Sequence, residues 1–189
     1  GLTAVICIIL GMGMPTTAIY FLLAVLATQP LINLGVEPLA AHLFVLYFGL
    51  MSMITPPVAL AAFTAAKLAN ARPMATAWAA CQFGWPAFIV PFLFVVAPNL
   101  IMIGDTIDIT ITFVSAIAGI WFTSAGFIGY LISHLNLFQR SVYIIGGLFL
   151  LLPSQAFEQA YLFEFAGAVL CSTILIQEAS NRKKKEKLV

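Results

Sequence analysis

Gly11-Met12-Gly13-Met14-Pro15-Thr16-Thr17 interrupts sequence that is otherwise apolar on both sides, and Thr55-Pro56-Pro57 interrupts it a second time. Glycine and proline at this density end helices, because glycine favours non-helical angles and proline lacks the N–H that a helix interior needs. In hydrocarbon each unsatisfied backbone N–H or C=O costs several kcal/mol, so non-helical backbone at membrane depth survives only where protein, water or a ligand satisfies it. What surrounds the two interruptions therefore decides how they are read.

The surroundings are membrane-grade. Of 189 residues, 62% are hydrophobic and 8% charged, against about 25% charged in soluble domains, and mean hydropathy is +1.08. The stretches Leu39 to Leu60, Phe83 to Ile103, Ile107 to Ile132 and Tyr161 to Ile176 approach or exceed the ~20 residues that span a bilayer. None alternates with period two, as barrel strands do. The expected class is an all-α membrane protein. The chain opens at Gly1 within an apolar run, without a signal peptide, and reads as the C-terminal part of a longer polypeptide.

The eight Lys and Arg residues fall in three places: Lys67 and Arg72; Arg140; and the tail Arg182, Lys183, Lys184, Lys185 and Lys187. The positive-inside rule makes these cytoplasmic, while Glu37, Asp105, Asp108, Glu158 and Glu164 fall in or beside gaps on the opposite side. The organisation expected is a transport-domain segment over 1–70, with a re-entrant hairpin over 1–28 and a broken helix over 39–69. An interfacial helix follows over 71–83, with Pro73 opening it and Trp78 suited to an interface. Transmembrane helices fill 84–177, and a basic cytoplasmic tail occupies 178–189. Gln29-Pro30 through Pro38 reads as an external loop. Ser141 to Leu152, ended by Pro153, is short for a span, and a start near Asn136 would lengthen it. One kinked helix from Leu2 to Leu26 is the alternative to the hairpin, and periodicity does not separate the two.

Paired interruptions in apolar helices point to a transporter binding site. At the first, carbonyls freed by the ending half-helix and the Thr16 and Thr17 hydroxyls are hard oxygen donors suited to Na⁺, while the start of the next half-helix favours an anion. At the second, Pro56 and Pro57 cannot donate to the carbonyls near Ser52 and Met53, and Ser52 and Thr55 add side-chain oxygens. The competing reading is a proline kink repaired by Ser or Thr. Candidate ion or substrate contacts are thus Gly11, Gly13, Thr16, Thr17, Ser52 and Thr55, with Pro15, Pro56 and Pro57 holding the breaks. His42 and His134 read as interfacial or hydrogen-bonded, with a proton relay as the alternative. Asp105 and Asp108 flank a turn. Cys7, Cys81 and Cys171 are isolated and read as structural thiols rather than a disulfide or zinc set. There is no Ser/His/Asp order, metalloprotease motif or phosphate loop, so an enzyme is not expected, nor is a nucleic-acid partner.

Three stretches together resemble the large membrane subunit of tripartite ATP-independent periplasmic (TRAP) transporters, especially the fused small-plus-large permease form. They are Gly11-Met12-Gly13-Met14-Pro15-Thr16-Thr17-Ala18, then Leu34-Gly35-Val36-Glu37-Pro38-Leu39-Ala40-Ala41-His42-Leu43-Phe44, then Ile54-Thr55-Pro56-Pro57-Val58-Ala59-Leu60-Ala61-Ala62-Phe63. Pro91-Phe92-Leu93-Phe94-Val95 is similar to the fused form as well, so the resemblance covers roughly Gly1 to Asn99. Many shorter large subunits have Gly after Thr-Pro-Pro-Val; this chain has Ala59.

The resemblance implies half of an inverted-repeat elevator transporter in a bacterial or archaeal inner membrane. It implies Na⁺ as coupling ion, no other cofactor, a small organic anion such as a carboxylate as substrate, and as partners a periplasmic solute-binding protein and the rest of the same transporter chain. A binding-protein-independent carboxylate symporter or Na⁺/H⁺ exchanger, and a non-transporting scaffold subunit, are the alternatives.

Overall fold

A computed structural model of the protein describes residues 1–152 and 160–186, with the side chains of the last segment described through Gln177. The described residues are helical and contain no strand; a lone antiparallel bridge joins Tyr130 and His134. Among the described residues, four helical stretches are long and apolar enough to cross a membrane: Thr16–Asn33, Pro73–Val96, Thr106–Ile128 and Ala160–Gln177. The chain divides into two units, Gly1–Ile101 and Met102–Val189.

In the first unit, α1 (Leu2–Gly11) and α2 (Thr16–Leu23) are separated by a turn in which Gly13 takes φ +83°, an angle open to glycine at little cost. Both helices pack on α4 (Pro38–Met51), sharing with it a core of Ala4, Cys7, Ile19, Leu23, Phe44 and Phe48. A single kinked helix from Leu2 to Leu26 is thereby excluded.

The loop expected from Gln29-Pro30 onward is not there. After α2 the chain makes a π-helical turn over Ala24–Thr28 and continues as α3 (Gln29–Asn33), with Pro30 in its first turn. Proline cannot donate the i→i−4 bond, and the wider i→i+5 turn just before it changes the hydrogen-bond register where that bond would be lost. The helical stretch from Thr16 to Asn33 is therefore 18 residues rather than a half-span ending at Thr28. Gly35, at φ +88°, makes the turn into α4.

Beyond α4 come an irregular segment and α5 (Leu60–Leu68), so the helix expected over 39–69 is interrupted at the prolines. The helix expected over 71–83 is α6 (Pro73–Phe83), but only Gly84-Trp85 separates it from α7 (Pro86–Val96). Gly84 N–H donates back to Ala80 O at 2.8 Å to close α6, and Phe88 N–H donates to Trp85 O at 3.1 Å to open α7, so each helix is bonded up to the two-residue turn. Pro86 is tolerated there because a first-turn N–H needs no partner within the helix. The pair makes one apolar stretch of 24 residues, which replaces the separate surface helix followed by a span starting at Gly84. It ends at Val96 rather than Ile103, giving way to a short 3₁₀ turn over Pro98–Ile101. Phe92 of α7 packs edge-on against Phe44 and Phe48 of α4, with ring centroids 5.3 and 5.4 Å apart.

The second unit consists of α8 (Thr106–Ile128), α9 (Leu137–Leu151) and α10 (Ala160–Glu186), with α8 and α10 both packed on α9. Helix α8 stops at Gly129, whose φ of +78° forms the left-handed cap, four residues short of the expected end at Ile132 by sequence. Arg140 closes that end by donating from Nε to Gly126 O at 3.0 Å and from Nη2 to Phe127 O at 2.9 Å. A cation bonded to the last carbonyls of a helix is favoured by the helix dipole. Helix α9 starts at Leu137, before Ser141, because Asn136 and Gln139 form a reciprocal capping box. Its 15 residues are still only ~22 Å long. The expected end at Pro153 and the residue Glu158 lie outside the described residues, as do 187–189. The basic tail continues α10 as helix through Glu186 instead of leaving it near 178.

Glycine brings these helices together. A Cβ on Gly119 would lie 2.8 Å from Gly147 O, and one on Gly147 would overlap Thr123 Oγ1. A Cβ on Gly167 would lie 2.6 Å from Gly146 O. Small residues let backbones approach closely where lipid offers no hydrophobic drive to pack helices. Phe122 and Tyr143 stack beside the crossing, centroids 5.5 Å apart at 6°. Both Cys7 and Cys171 are buried and free, and Cys81 is free and half-buried.

Candidate functional site: two adjacent helix breaks

The two interruptions, far apart in sequence, meet in space. Gly11 ends α1 against the last turn of α4. A Cβ there would lie 2.8 Å from Ser52 Oγ and 3.1 Å from Gly49 O, so only glycine lets the first break reach the second this closely. Gly49 does the same for α2, since its Cβ would lie 2.6 Å from Ile19 Cγ2 and 2.9 Å from Leu23 Cδ1. Gly49 is a site residue that sequence reasoning misses. Its signal is weak: one glycine, a turn before Ser52, within an apolar run.

At the second break, Ser52 is buried and its hydroxyl donates to Gly49 O at 2.6 Å. The half-buried Thr55 donates in the same way to Met51 O at 2.6 Å. Both hydroxyls thus bond carbonyls at the end of α4, the repair expected of Ser or Thr near a proline kink. Each hydroxyl oxygen still has lone-pair capacity as an acceptor. Met53 O, four residues before Pro57, accepts the N–H of Ala61 at 3.0 Å from the far side of the break. Ile54 O accepts from Cys81 Sγ of α6 at 3.4 Å. The Pro56-Pro57 bond is cis.

Ala59 then enters α5 from the left-handed region, at φ +35° and ψ 49°, and is fully buried. Left-handed geometry costs an L-residue ~1–2 kcal/mol. This is the position at which many shorter large subunits have glycine, which pays no such penalty.

The remaining predicted residues lie around the first turn. Gly13 is exposed, with open space where a Cβ would lie, and Thr16 and Thr17 are exposed on the first turn of α2. Pro15 sits at the N-cap of α2 with extended angles. The first N–H groups of α2 have no intrahelical acceptor, as at any helix start, and carry its positive dipole end. Met14 and Met53, one from each break, pack against the same core. The structure therefore joins Gly11 with Ser52 and places Gly13, Thr16 and Thr17 on the exposed turn leading away from that junction. Farther along, Tyr20 Oη and His42 Nδ1 lie 3.0 Å apart, tying α2 to α4. His134, at the turn after α8, stacks edge-on with Tyr130.

Apolar helices of membrane-crossing length, two of whose breaks glycine brings together, define a multi-pass membrane protein. The family model for the tripartite ATP-independent periplasmic transporter, DctM component, matches residues 1–128, and the chain belongs to that family. It is thus part of the membrane component of a TRAP transporter, a system that works with a periplasmic binding protein. The match runs beyond Asn99, where the resemblance carried by the sequence motifs ends, to take in α8. No curated protein and no solved structure gives a match.

Proposed function

We propose that this chain supplies part of the ion and substrate site for Na⁺-coupled, binding-protein-dependent uptake of an organic anion, a carboxylate, by an elevator movement across the inner membrane. The supporting observation is the junction of the two breaks, where Gly11 lies against Ser52 and the Ser52 and Thr55 hydroxyls bond the end of α4. Neutral hydroxyl and carbonyl oxygens are the donors that suit a hard monovalent cation. The donor set fits Na⁺, with Ser52, Thr55 and the carbonyls at the ends of α1 and α4 as its ligands. The first turn of α2, carrying Thr16 and Thr17, offers backbone N–H groups to a carboxylate.

The test uses the complete transporter in proteoliposomes with its binding protein. Replacing Ser52 and Thr55 together by Ala raises the Na⁺ concentration needed for half-maximal uptake by about tenfold, equivalent to ~1.4 kcal/mol of lost ligation. Unchanged Na⁺ dependence removes these hydroxyls from the ion site. Uptake that persists without Na⁺, or without the binding protein, overturns the coupled mechanism.

A further inference from the structure

The second unit contains a cavity of about 620 Å³ lined by its own residues. Its walls are α8 and α10 and its floor is α9, through Val114, Ala118, Phe122, Leu150, Phe165 and Ala168. On α8 the lining runs from Thr110 to Phe122, about 18 Å of helix axis, close to the ~15 Å of one leaflet's hydrocarbon. A single unbranched acyl chain is slender enough to enter.

One end of the cavity is charged. Glu164, the fifth residue of α10, lines it together with Tyr161 and with Thr110 from the first turns of α8. A carboxylate within a membrane-spanning segment takes a partner, and among the described residues of the unit no cation stands at this end. Arg140 is bonded to Gly126 O and Phe127 O at the opposite end of α8. Arg182 lies 18 residues farther along α10 by sequence, ~27 Å away along its axis. Asp105 and Asp108 stand at the start of α8, so this end favours a cation and repels an anionic headgroup. The apolar lining and the charge at its end together match an occupant with a positive head and an apolar tail.

We propose that the groove between α8 and α10 binds one molecule of phosphatidylethanolamine, its acyl chain along the groove and its ammonium on Glu164. Tyr161 supplies a phenol O–H to the phosphate, as interfacial tyrosines can. The site belongs to the helical bundle rather than to the transport breaks, so it stands independently of the ion-coupling proposal.

Native mass spectrometry of the complete transporter, equilibrated with equal amounts of phosphatidylethanolamine and phosphatidylglycerol, tests the assignment. The expected result is selective retention of one phosphatidylethanolamine. Glu164→Gln, nearly isosteric, weakens that retention about fivefold, the effect of one interfacial charge. Ala168→Leu, which fills the groove and leaves the charge, reduces retention of either lipid. Equal retention of both lipids by the unaltered transporter, or no effect of Glu164→Gln, overturns the proposal. So does a cross-link in membranes from Ala168→Cys to another protein segment, which would show a helix in the groove.

Discussion

Glycine is used in opposite ways by the two units, and the contrast separates helix packing from helix interruption. In the second unit Gly119, Gly126, Gly146, Gly147 and Gly167 all lie inside uninterrupted helices and bring neighbouring backbones together. In the first, Gly11 and Gly49 lie at or one turn from the ends of broken helices and bring two breaks together. Hydroxyls at the break differ from those elsewhere. Thr110, Thr112, Ser115 and Ser172 of the second unit, and Thr64 and Thr76 of the first, bond back to carbonyls of helices that continue, whereas Ser52 and Thr55 bond the end of one that stops. Close packing of continuous helices makes a scaffold; close packing of broken ones also gathers polar backbone at one point. The family match takes in all of the first unit and α8 of the second.

The contrast is broken most severely in the second unit. Gly147→Val forces side-chain atoms into Thr123 Oγ1 and Gly119 O, and is expected to cost about 3 kcal/mol or more. Thermal unfolding of the purified protein measures this, and a change below ~1 kcal/mol would mean that α8 and α9 do not cross at these glycines.

A smaller effect is expected at the junction of the breaks. Gly11→Ala places a methyl 2.8 Å from Ser52 Oγ and should cost about 2 kcal/mol. Ser52→Ala in the same chain removes the clashing oxygen, so the pair should be less damaging than the sum of the single changes by about 1 kcal/mol. Strict additivity in a double-mutant cycle on stability would place Gly11 away from Ser52.

The smallest effect concerns Ala59. Glycine there relieves ~1–2 kcal/mol of left-handed strain, but loses ~0.8 kcal/mol of methyl burial and ~0.5–1 kcal/mol through added backbone entropy. Ala59→Gly should therefore lie within about 0.5 kcal/mol of neutral, and destabilisation beyond ~1.5 kcal/mol in the same unfolding assay would argue against the left-handed entry into α5. Near-neutrality would also explain how alanine stands where shorter subunits have glycine.

Much of this architecture is legible in the order of residues alone. The membrane class follows from composition, and the start of α8 falls within one residue of the expected span. Interruptions at Gly11 to Pro15 and at Thr55-Pro56-Pro57 are legible for a local reason: glycine and proline act on the backbone at their own positions. The same rule misleads at Gln29-Pro30, where a π turn lets the helix absorb the proline.

The sequence by itself determined that this chain is helical, apolar enough for a membrane and broken at two places, because those properties are set by residues acting on their own backbone and on the surrounding solvent. Only the tertiary structure decided that the two breaks touch, that Gly49 rather than another small residue makes room for α2, and that Ala59 turns left-handed. Those are matters of distance between groups remote along the chain, and which residue must be small depends on what packs against it.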